Sequence, residues 1–162
     1  MNIINKYLVV CIFTIILASC GYHLRGSIDF EELDNVRLIS DNRNSFSIML
    51  DKRLMSNEQS NISQYPAIKI ISVTSQKRQL SVNSSGRVDE YEITKTLNYQ
   101  FIFSETNIFT EKLKASDSYD FNESQMQGTK EKEVITNNSI DRQLVRKLLS
   151  KFRSAKKTNL NQ

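Results

Sequence analysis

The alternation of apolar and polar residues is most regular between Val88 and Phe103 (VDEYEITKTLNYQFIF). Successive side chains of a strand point to opposite faces, so this run predicts a long strand with one buried face. The apolar parity contains Tyr91, Ile93, Leu97, Tyr99, Phe101 and Phe103. Its aromatic residues are expected to be core, with a groove for acyl chains as the alternative. Lys95 is the exception on this face, and we expect its ammonium group to snorkel towards water.

A second alternating run extends from Phe109 to Phe121. The short polar connection 104–107 (SETN) separates it from the first run. Two long strands joined so tightly predict an antiparallel hairpin.

Two shorter apolar runs precede this hairpin. Residues 35–40 (NVRLIS) and 67–73 (AIKIISV) are the candidate strands. The Ile70-Ile71 doublet shifts the alternation of the second run, which allows a bulge there. Residues 76–87 are polar and basic, and we expect a turn near Gly86.

Two segments change to helical periodicity. Phe46, Met49, Leu50 and Leu54 stand at offsets 0, 3, 4 and 8 within 45–55, and Ser45 or Asn44 is the candidate cap. The second helix is expected to start after Gly128, with Thr129 as its cap.

The second helix has a weak middle and a weak end. Its expected apolar side is Val134, Ile135, Val145, Leu148, Leu149 and Phe152. Asn137-Asn138-Ser139 predicts a kink or a break, and residues 153–162 are expected to fray. The element order predicts an α+β fold with two layers: a mainly antiparallel four-stranded sheet with two helices packed on one face.

The N-terminus predicts export and lipid attachment rather than structure. Lys6 is followed by the apolar run 7–17 (YLVVCIFTIIL), which is shorter than the roughly 20 residues of a membrane-spanning helix. Leu17-Ala18-Ser19-Cys20 then resembles a bacterial lipobox. We therefore expect residues 1–19 to be a signal peptide and Cys20 to carry acyl chains such as palmitate. Residues 20–162 would be a single periplasm-facing domain, anchored by lipid because two or three chains hold a protein stably. An ordinary secretory signal with a chance cysteine is the alternative.

Composition excludes several classes of function. The chain has 162 residues with 22 basic and 18 acidic side chains, one His and two Cys. So small a basic excess, spread along the chain, gives no reason to expect a nucleic-acid partner. Cys11 lies in the signal segment and Cys20 is committed to lipid, which leaves too few Cys and His for most zinc sites. We expect no metal and no cofactor.

Three stretches together resemble the LptE family of lipopolysaccharide-assembly lipoproteins. They are the mature start Cys20-Gly21-Tyr22-His23-Leu24-Arg25, Asp89-Glu90-Tyr91 at the opening of the long strand, and the final helix 142–148 (RQLVRKL). Their order and spacing agree with the family through residues 20–149.

The resemblance implies a function without bond-making chemistry. LptE-like proteins sit at the outer membrane inside the barrel of the large protein LptD, plug it, help it assemble and bind lipopolysaccharide. Gly21, rather than Asp, after the lipidated cysteine favours the outer membrane by lipoprotein sorting rules. An accessory factor or chaperone of another envelope machine is the alternative. A periplasmic hydrolase is less favoured, because no triad or metal-ligand motif appears.

Basic residues are the candidates for contact with lipopolysaccharide phosphates. Lys130 falls where the family carries a lysine implicated in that contact, at the expected start of the last helix, and Lys132 lies near it. The family also has an arginine in the turn before the long strand, where this chain has Asn83-Ser84. Arg87 is the nearest substitute, with Lys77 or Arg78 as further possibilities. A solvated helix-start lysine is the alternative for Lys130.

Two other groups of residues have simpler interpretations. His23 has no acid or nucleophile beside it in sequence, and we expect it to form hydrogen bonds near the lipid anchor. Arg142, Arg146, Lys147, Lys151 and Arg153 are expected to form a solvated face that complements the helix dipole. Contact of that face with anionic lipid headgroups is the alternative.

Overall fold

The computed structural model of the protein describes residues 33, 36–54 and 66–160. Its strands are β1 (Arg37–Ser40), β2 (Ala67–Val82), β3 (Val88–Ile102) and β4 (Ile108–Asp120). Its helices are α1 (Ser45–Leu54), between β1 and β2, and α2 (Met126–Leu160), which follows the 3-10 turn Glu123–Gln125. The expected signal peptide, Cys20 and His23 lie outside the described residues.

The four strands form one sheet in the order β1-β2-β3-β4. β1 runs parallel to β2, and the other two pairings are antiparallel. The predicted fold class, a mainly antiparallel sheet in an α+β arrangement, is therefore confirmed, with one parallel pair. That pair is short, because β1 contacts only Ala67–Ile70 of β2.

The strand alternation predicted for β3 is confirmed. Ile93, Leu97, Tyr99 and Phe101 are buried, whereas their neighbours of the other parity are half-buried. The Phe101 ring meets that of Phe152 of α2 edge to face, at 5.1 Å between centroids. The aromatic residues of β3 therefore include core residues packed against α2.

β2 is longer than the apolar run 67–73 predicts. It continues through Val82 and pairs with β3 along its whole length, ending at Val82 opposite Val88. The polar residues after Val73 form strand because each has a partner in β3, while their exposed side chains make little core contact. The bulge expected at the isoleucine doublet is present, since the register shifts between Ile70 and Ser72.

α1 has the expected bounds to within one residue, and Asn44 caps it. The Asn44 Oδ1 atom accepts a hydrogen bond from the Ser47 amide at 2.8 Å, and Ser47 Oγ accepts one from the Asn44 amide at 2.9 Å. This reciprocal pairing satisfies the first turn of the helix. Ser45, the other candidate cap, instead donates its hydroxyl to Asp141 of α2 at 2.8 Å.

α2 is one continuous helix of 35 residues, so it does not break at Asn137–Ser139, and the predicted fraying from Arg153 is wrong because the helix continues to Leu160. Asn137 Nδ2 bonds back to the Glu133 carbonyl at 2.9 Å, which keeps its side chain compatible with the helix. Near the end, Asn107 of the β3–β4 turn donates to Asn159 Oδ1 at 2.7 Å. No helix of the described residues is both long and apolar enough to cross a membrane.

The first half of α2 buries different residues from those predicted. Val134 and Ile135 are 58% and 57% exposed, whereas Thr129, Thr136 and Asp141 are buried. Buried residues recur at helical spacing along one side: Thr129, Thr136, Ile140, Asp141, Leu144, Val145, Leu148, Leu149 and Phe152. The second half of this stripe is apolar as expected, but the first half is polar, and apolar periodicity alone could not find it.

Candidate functional site

The predicted site residues Arg87, Lys130 and Lys132 lie at one end of the domain. There the β2–β3 turn meets the end of β4 and the start of α2. The Phe121 amide, just after β4, donates to the Asp89 carbonyl of β3 at 2.8 Å. The Arg87 guanidinium lies 3.1 Å from Glu123 in the 3-10 turn. These contacts hold the three segments together.

Asn83 shapes the turn that presents Arg87. Its Oδ1 atom accepts hydrogen bonds from the amides of Ser85 at 3.0 Å and Arg87 at 3.1 Å. Gly86 has a positive φ of 75°, which L side chains adopt only at a cost. Asparagine and glycine at these positions therefore fix the direction in which Arg87 leaves the turn.

The junction between β4 and α2 is fixed by Asn122 and Thr129. Asn122 caps the 3-10 turn, accepting a hydrogen bond from the Ser124 amide at 3.0 Å. Thr129 is not a helix cap. Its hydroxyl bonds to both the amide and the carbonyl of Asn122, at 3.2 Å each, and so secures the first turn of α2 to the end of β4.

Lys130 therefore does not lie at the start of the last helix, where it was predicted. α2 begins at Met126, so Lys130 lies four residues inside the helix rather than at its first turn. The unbonded N–H groups of a helix belong to its first four residues. Anion binding at Lys130 would depend on its side chain, which is exposed to solvent.

The three basic residues differ in their partners. Arg87 is paired with Glu123 at 3.1 Å and Lys132 with Asp120 at 3.2 Å, and all four side chains are more than half exposed. Within the described part of the chain, Lys130 forms no ion pair. Exposed pairs are worth only about 0–1 kcal/mol, so an anionic ligand could compete for Arg87 and Lys132.

Lys77 is held by more contacts than its position in a polar, basic stretch of sequence indicates. Its ammonium group lies 2.8 Å from Glu133 of α2 and 4.5 Å from the ring centre of Tyr91. The Tyr119 hydroxyl donates to the same Glu133 carboxylate at 2.9 Å. The hydrogen bond from Lys77 lowers the pKa of Glu133. Burial opposes the charge on Lys77, but hydrogen bonds to Glu133 and Tyr119 raise its pKa. This cluster joins β2, β3 and β4 to α2.

Arg78, the other suggested substitute, is also paired. Its guanidinium contacts Glu92 of β3 on the opposite face of the sheet, and the hydrogen bond from Arg78 lowers the pKa of Glu92. Neither Lys77 nor Arg78 is therefore an unpaired cation.

A buried ion pair lies between the sheet and both helices, and the expectation that Lys95 snorkels is wrong. Lys95 and Asp141 are 7% and 0% exposed, and their charged atoms are 2.8 Å apart. Asp141 also accepts the Ser45 hydroxyl at 2.8 Å, so β3, α2 and the start of α1 share one carboxylate. Strand alternation places Lys95 on the core face of β3, but no sequence signal identifies Asp141 as its partner.

The family model described as lipopolysaccharide-assembly, LptE, matches residues 33–152, well over half of the chain. The chain belongs to the LptE family. This family is a non-enzymatic component of lipopolysaccharide transport. A comparison with curated proteins finds no match.

Solved structures share the fold of this LptE-family domain. Rare lipoprotein B from Shewanella oneidensis superimposes with a TM-score of 0.66 at 16% identity, over 78% of this chain and 98% of its own. Lipoprotein B from Nitrosomonas europaea gives 0.63 at 15% identity, over 78% and 86% of the two chains. A minor lipoprotein from Acinetobacter baumannii gives 0.59 at 15% identity, over 75% and 91%. At these identities the similarity establishes the fold alone.

Proposed function

We propose that this protein is the small, lipid-anchored subunit of an outer-membrane lipopolysaccharide translocon. It occupies the lumen of an LptD-like barrel, supports the barrel's assembly and binds lipopolysaccharide on its way to the outer leaflet. The observation that carries the proposal is the LptE-family match over residues 33–152.

The proposed site of lipid attachment is Cys20. It directly follows Leu17-Ala18-Ser19, at the end of an apolar segment too short to span a bilayer. Two or three acyl chains on this cysteine would hold the domain at the membrane surface. The solved structures of similar fold are those of proteins named as lipoproteins, which supports a lipid anchor in this chain.

The polarity of the sheet face opposite the helices supports the proposal that the partner is a barrel. On this face Asn98 donates to Ser72 at 2.8 Å, and Gln100 donates to Thr110 at 3.0 Å. Amides and hydroxyls paired across the strands make this part of the face polar. The interior of a large outer-membrane barrel is also polar, so a sheet face of this kind can lie against it in the presence of water.

The proposed lipopolysaccharide contact is the end of the domain that carries Lys130, with Arg87 and Lys132 as supporting cations. Lipopolysaccharide presents phosphates, which lysine and arginine bind by charge-assisted hydrogen bonds. Lys130 ranks first because it is exposed and forms no ion pair with the residues that the structure describes. Arg87 and Lys132 would have to release Glu123 and Asp120, with which they pair, before they could bind a phosphate.

Depletion of the chain tests the assembly function. We expect loss of the protein to leave the LptD-like barrel misassembled, read as loss of its heat-modifiable folded form on gels. Lipopolysaccharide should then remain in the periplasm instead of reaching the cell surface. Normal surface lipopolysaccharide and a normally folded barrel after depletion would contradict the proposal.

Reversal of one charge tests the lipopolysaccharide contact. Lys130→Asp should weaken binding of labelled lipopolysaccharide by about tenfold, which corresponds to the roughly 1.4 kcal/mol of one charged hydrogen bond. Lys52→Asp is the matched control, because Lys52 is an exposed lysine of α1 away from this end of the domain. Thermal unfolding should be unchanged for both variants. Equal affinities of wild type and Lys130→Asp at moderate salt would remove Lys130 from the site.

A further inference from the structure

Exposed apolar side chains are concentrated at the end of the domain that carries Lys130. Among the residues that the structure describes, nine large hydrophobic side chains are exposed. Five of the nine lie in the last three residues of β2 or the first ten residues of α2: Leu80, Val82, Met126, Val134 and Ile135. Single exposed apolar residues are ordinary, but their concentration at one end of a domain, among polar residues, indicates a surface that binds a partner.

The first half of α2 is inverted relative to an ordinary surface helix. Thr129 and Thr136 are buried, whereas Met126, Val134 and Ile135 are 54%, 58% and 57% exposed. A helix that packs on one sheet normally buries its apolar side chains and exposes its polar ones. An aliphatic side chain left in water gains free energy when a partner covers it. The inversion therefore indicates that this half of α2 has an apolar contact outside the domain.

Lys130 lies in the middle of an apolar stripe on this helix. Met126, Lys130 and Val134 are spaced by four residues, so at about 100° per residue they fall within an arc of about 80°. At about 1.5 Å per residue they extend over about 12 Å of the helix. We call these three residues the amphipathic stripe; Ile135 lies outside it, about 100° further round. The exposed side chain of Lys130 therefore has an exposed aliphatic side chain about one turn away on each side.

The core is incompletely covered near the amphipathic stripe. The rings of Tyr91 and Phe121 meet edge to face, at 5.2 Å between centroids, and both residues are only half-buried. The ammonium group of Lys77 lies 4.5 Å from the ring centre of Tyr91 and pairs with Glu133 at 2.8 Å. Because Glu133 directly precedes Val134, the Tyr91 ring lies near the turn of α2 that carries Val134. The apolar surface at this end therefore includes part of the sheet as well as the helix.

We propose that the amphipathic stripe of α2 holds an acyl chain of lipopolysaccharide while Lys130 binds a phosphate of the same molecule. This inference rests on the proposed function and adds an apolar contact to the phosphate contact proposed there. The lipid A part of lipopolysaccharide carries phosphates and acyl chains on the same pair of sugars. Charge-assisted hydrogen bonds from Lys130 hold the phosphate, and burial of the Met126 and Val134 side chains holds the acyl chain.

The chemistry of the stripe favours an acylated phosphate over the other ligands that the proposed function offers. The interior of a large outer-membrane barrel is polar, so contact with its wall would leave Met126 and Val134 without an apolar partner. The sugar phosphates of the lipopolysaccharide core would bind Lys130 but would also leave these two side chains in water. Lipid A provides an anionic group for the lysine and an aliphatic chain for its two neighbours.

Two glutamine substitutions test the acyl contact. The affinity of the full-length protein, in one neutral detergent, would be measured for labelled lipopolysaccharide and for the same lipopolysaccharide after deacylation, which keeps the phosphates. Wild type should bind the acylated form about tenfold more tightly, the effect of burying about 55 Å² of apolar surface. Met126→Gln/Val134→Gln, which keeps good helix formers in α2, should lose most of this difference and bind the deacylated form as wild type does. The matched control, Ile48→Gln/Ile108→Gln, replaces two exposed aliphatic residues of α1 and β4 and should keep the difference.

The outcomes separate this inference from the proposed function. If wild type binds both forms equally, or if Met126→Gln/Val134→Gln keeps the difference, the acyl contact is wrong and the phosphate contact stands. If wild type binds neither form, the proposed lipopolysaccharide contact is wrong as well. If phosphatidylglycerol in the same detergent competes as well as lipopolysaccharide does, the stripe binds acyl amphiphiles in general and the inference is overturned. Should the double variant lower the melting temperature, Val134→Thr serves instead, because it keeps the shape of the side chain, and a smaller loss of the difference is expected.

Discussion

At the scale of single residues, Lys95 and Asp141 are the two charged residues buried in the described core, and they form an ion pair. Desolvating two charges costs several kcal/mol each, and attraction repays this only when the remaining hydrogen bonds are satisfied. Here Asp141 accepts from Lys95 and from Ser45, each at 2.8 Å. The carboxylate therefore joins one strand to both helices, and the loss of either charge leaves the other buried alone.

This arrangement predicts opposite results for single and double substitutions. Asp141→Leu or Lys95→Met alone should lower the free energy of unfolding by about 3–5 kcal/mol. The double variant Lys95→Met/Asp141→Leu should be close to wild type or more stable, since no charge remains buried. Urea unfolding of the four proteins gives the coupling energy directly. Single-variant losses that simply add in the double variant would show that the two charges do not interact.

Lys95 and Asp141 also mark what the sequence could not give at this scale. Alternation places Lys95 on the core face of β3, but it does not identify the partner 46 residues later. The basic residues Arg87, Lys130 and Lys132 were predictable as exposed cations. Their ion pairs with Glu123 and Asp120 depend on how the strand ends and α2 meet in space.

At the scale of elements, a strand or helix can be predicted from the sequence when its apolar residues recur regularly. The buried residues of β3 and β4 all share one parity in each strand, so alternation predicts both strands nearly to the residue. The second half of β2 is exposed and polar, and its strand conformation comes from pairing with β3. The first half of α2 buries Thr129, Thr136 and Asp141, which carry no apolar signal. Pairing and buried polar contacts are tertiary effects that override local pattern.

The carboxylates that tie α2 to the sheet predict a pH dependence. Hydrogen bonds from Lys151 and then Tyr99 lower the pKa of Glu111, and the bond from Lys77 lowers that of Glu133. A pKa lower in the folded than in the unfolded state stabilises the fold above the unfolded value of about 4.3. This stabilisation is lost as the pH falls through the lowered folded value. We therefore expect the melting temperature to fall between pH 5 and pH 3.

Glutamine variants test whether Glu111 and Glu133 cause that pH dependence. Glu111→Gln/Glu133→Gln should be less stable than wild type at pH 6 and should lose less stability on acidification. Glu105→Gln is the control, because Glu105 is exposed in the β3–β4 turn and pairs with no described cation. A melting-temperature profile of the double variant parallel to that of wild type would contradict the assignment.

At the scale of the whole molecule, two surfaces have separate functions in this account. In the proposed function, the polar sheet face lies against a barrel, and the end with Lys130 contacts lipopolysaccharide. The sheet supports both, because β3 carries the polar face and α2, which packs on the other face of the sheet, carries Lys130 in its second turn.

Site-specific photo-cross-linking from the sheet face tests the central claim most directly. Thr96 lies on the polar face of the central strand, between Thr74 and Lys114, so a cross-linker placed there would face the barrel wall. In cells that produce the full-length chain, we expect one dominant adduct, with a large outer-membrane β-barrel protein. The same cross-linker at Leu97, which is fully buried, should give none. Membrane-bound protein that forms no barrel adduct from position 96 would contradict the claim that this domain sits inside a barrel.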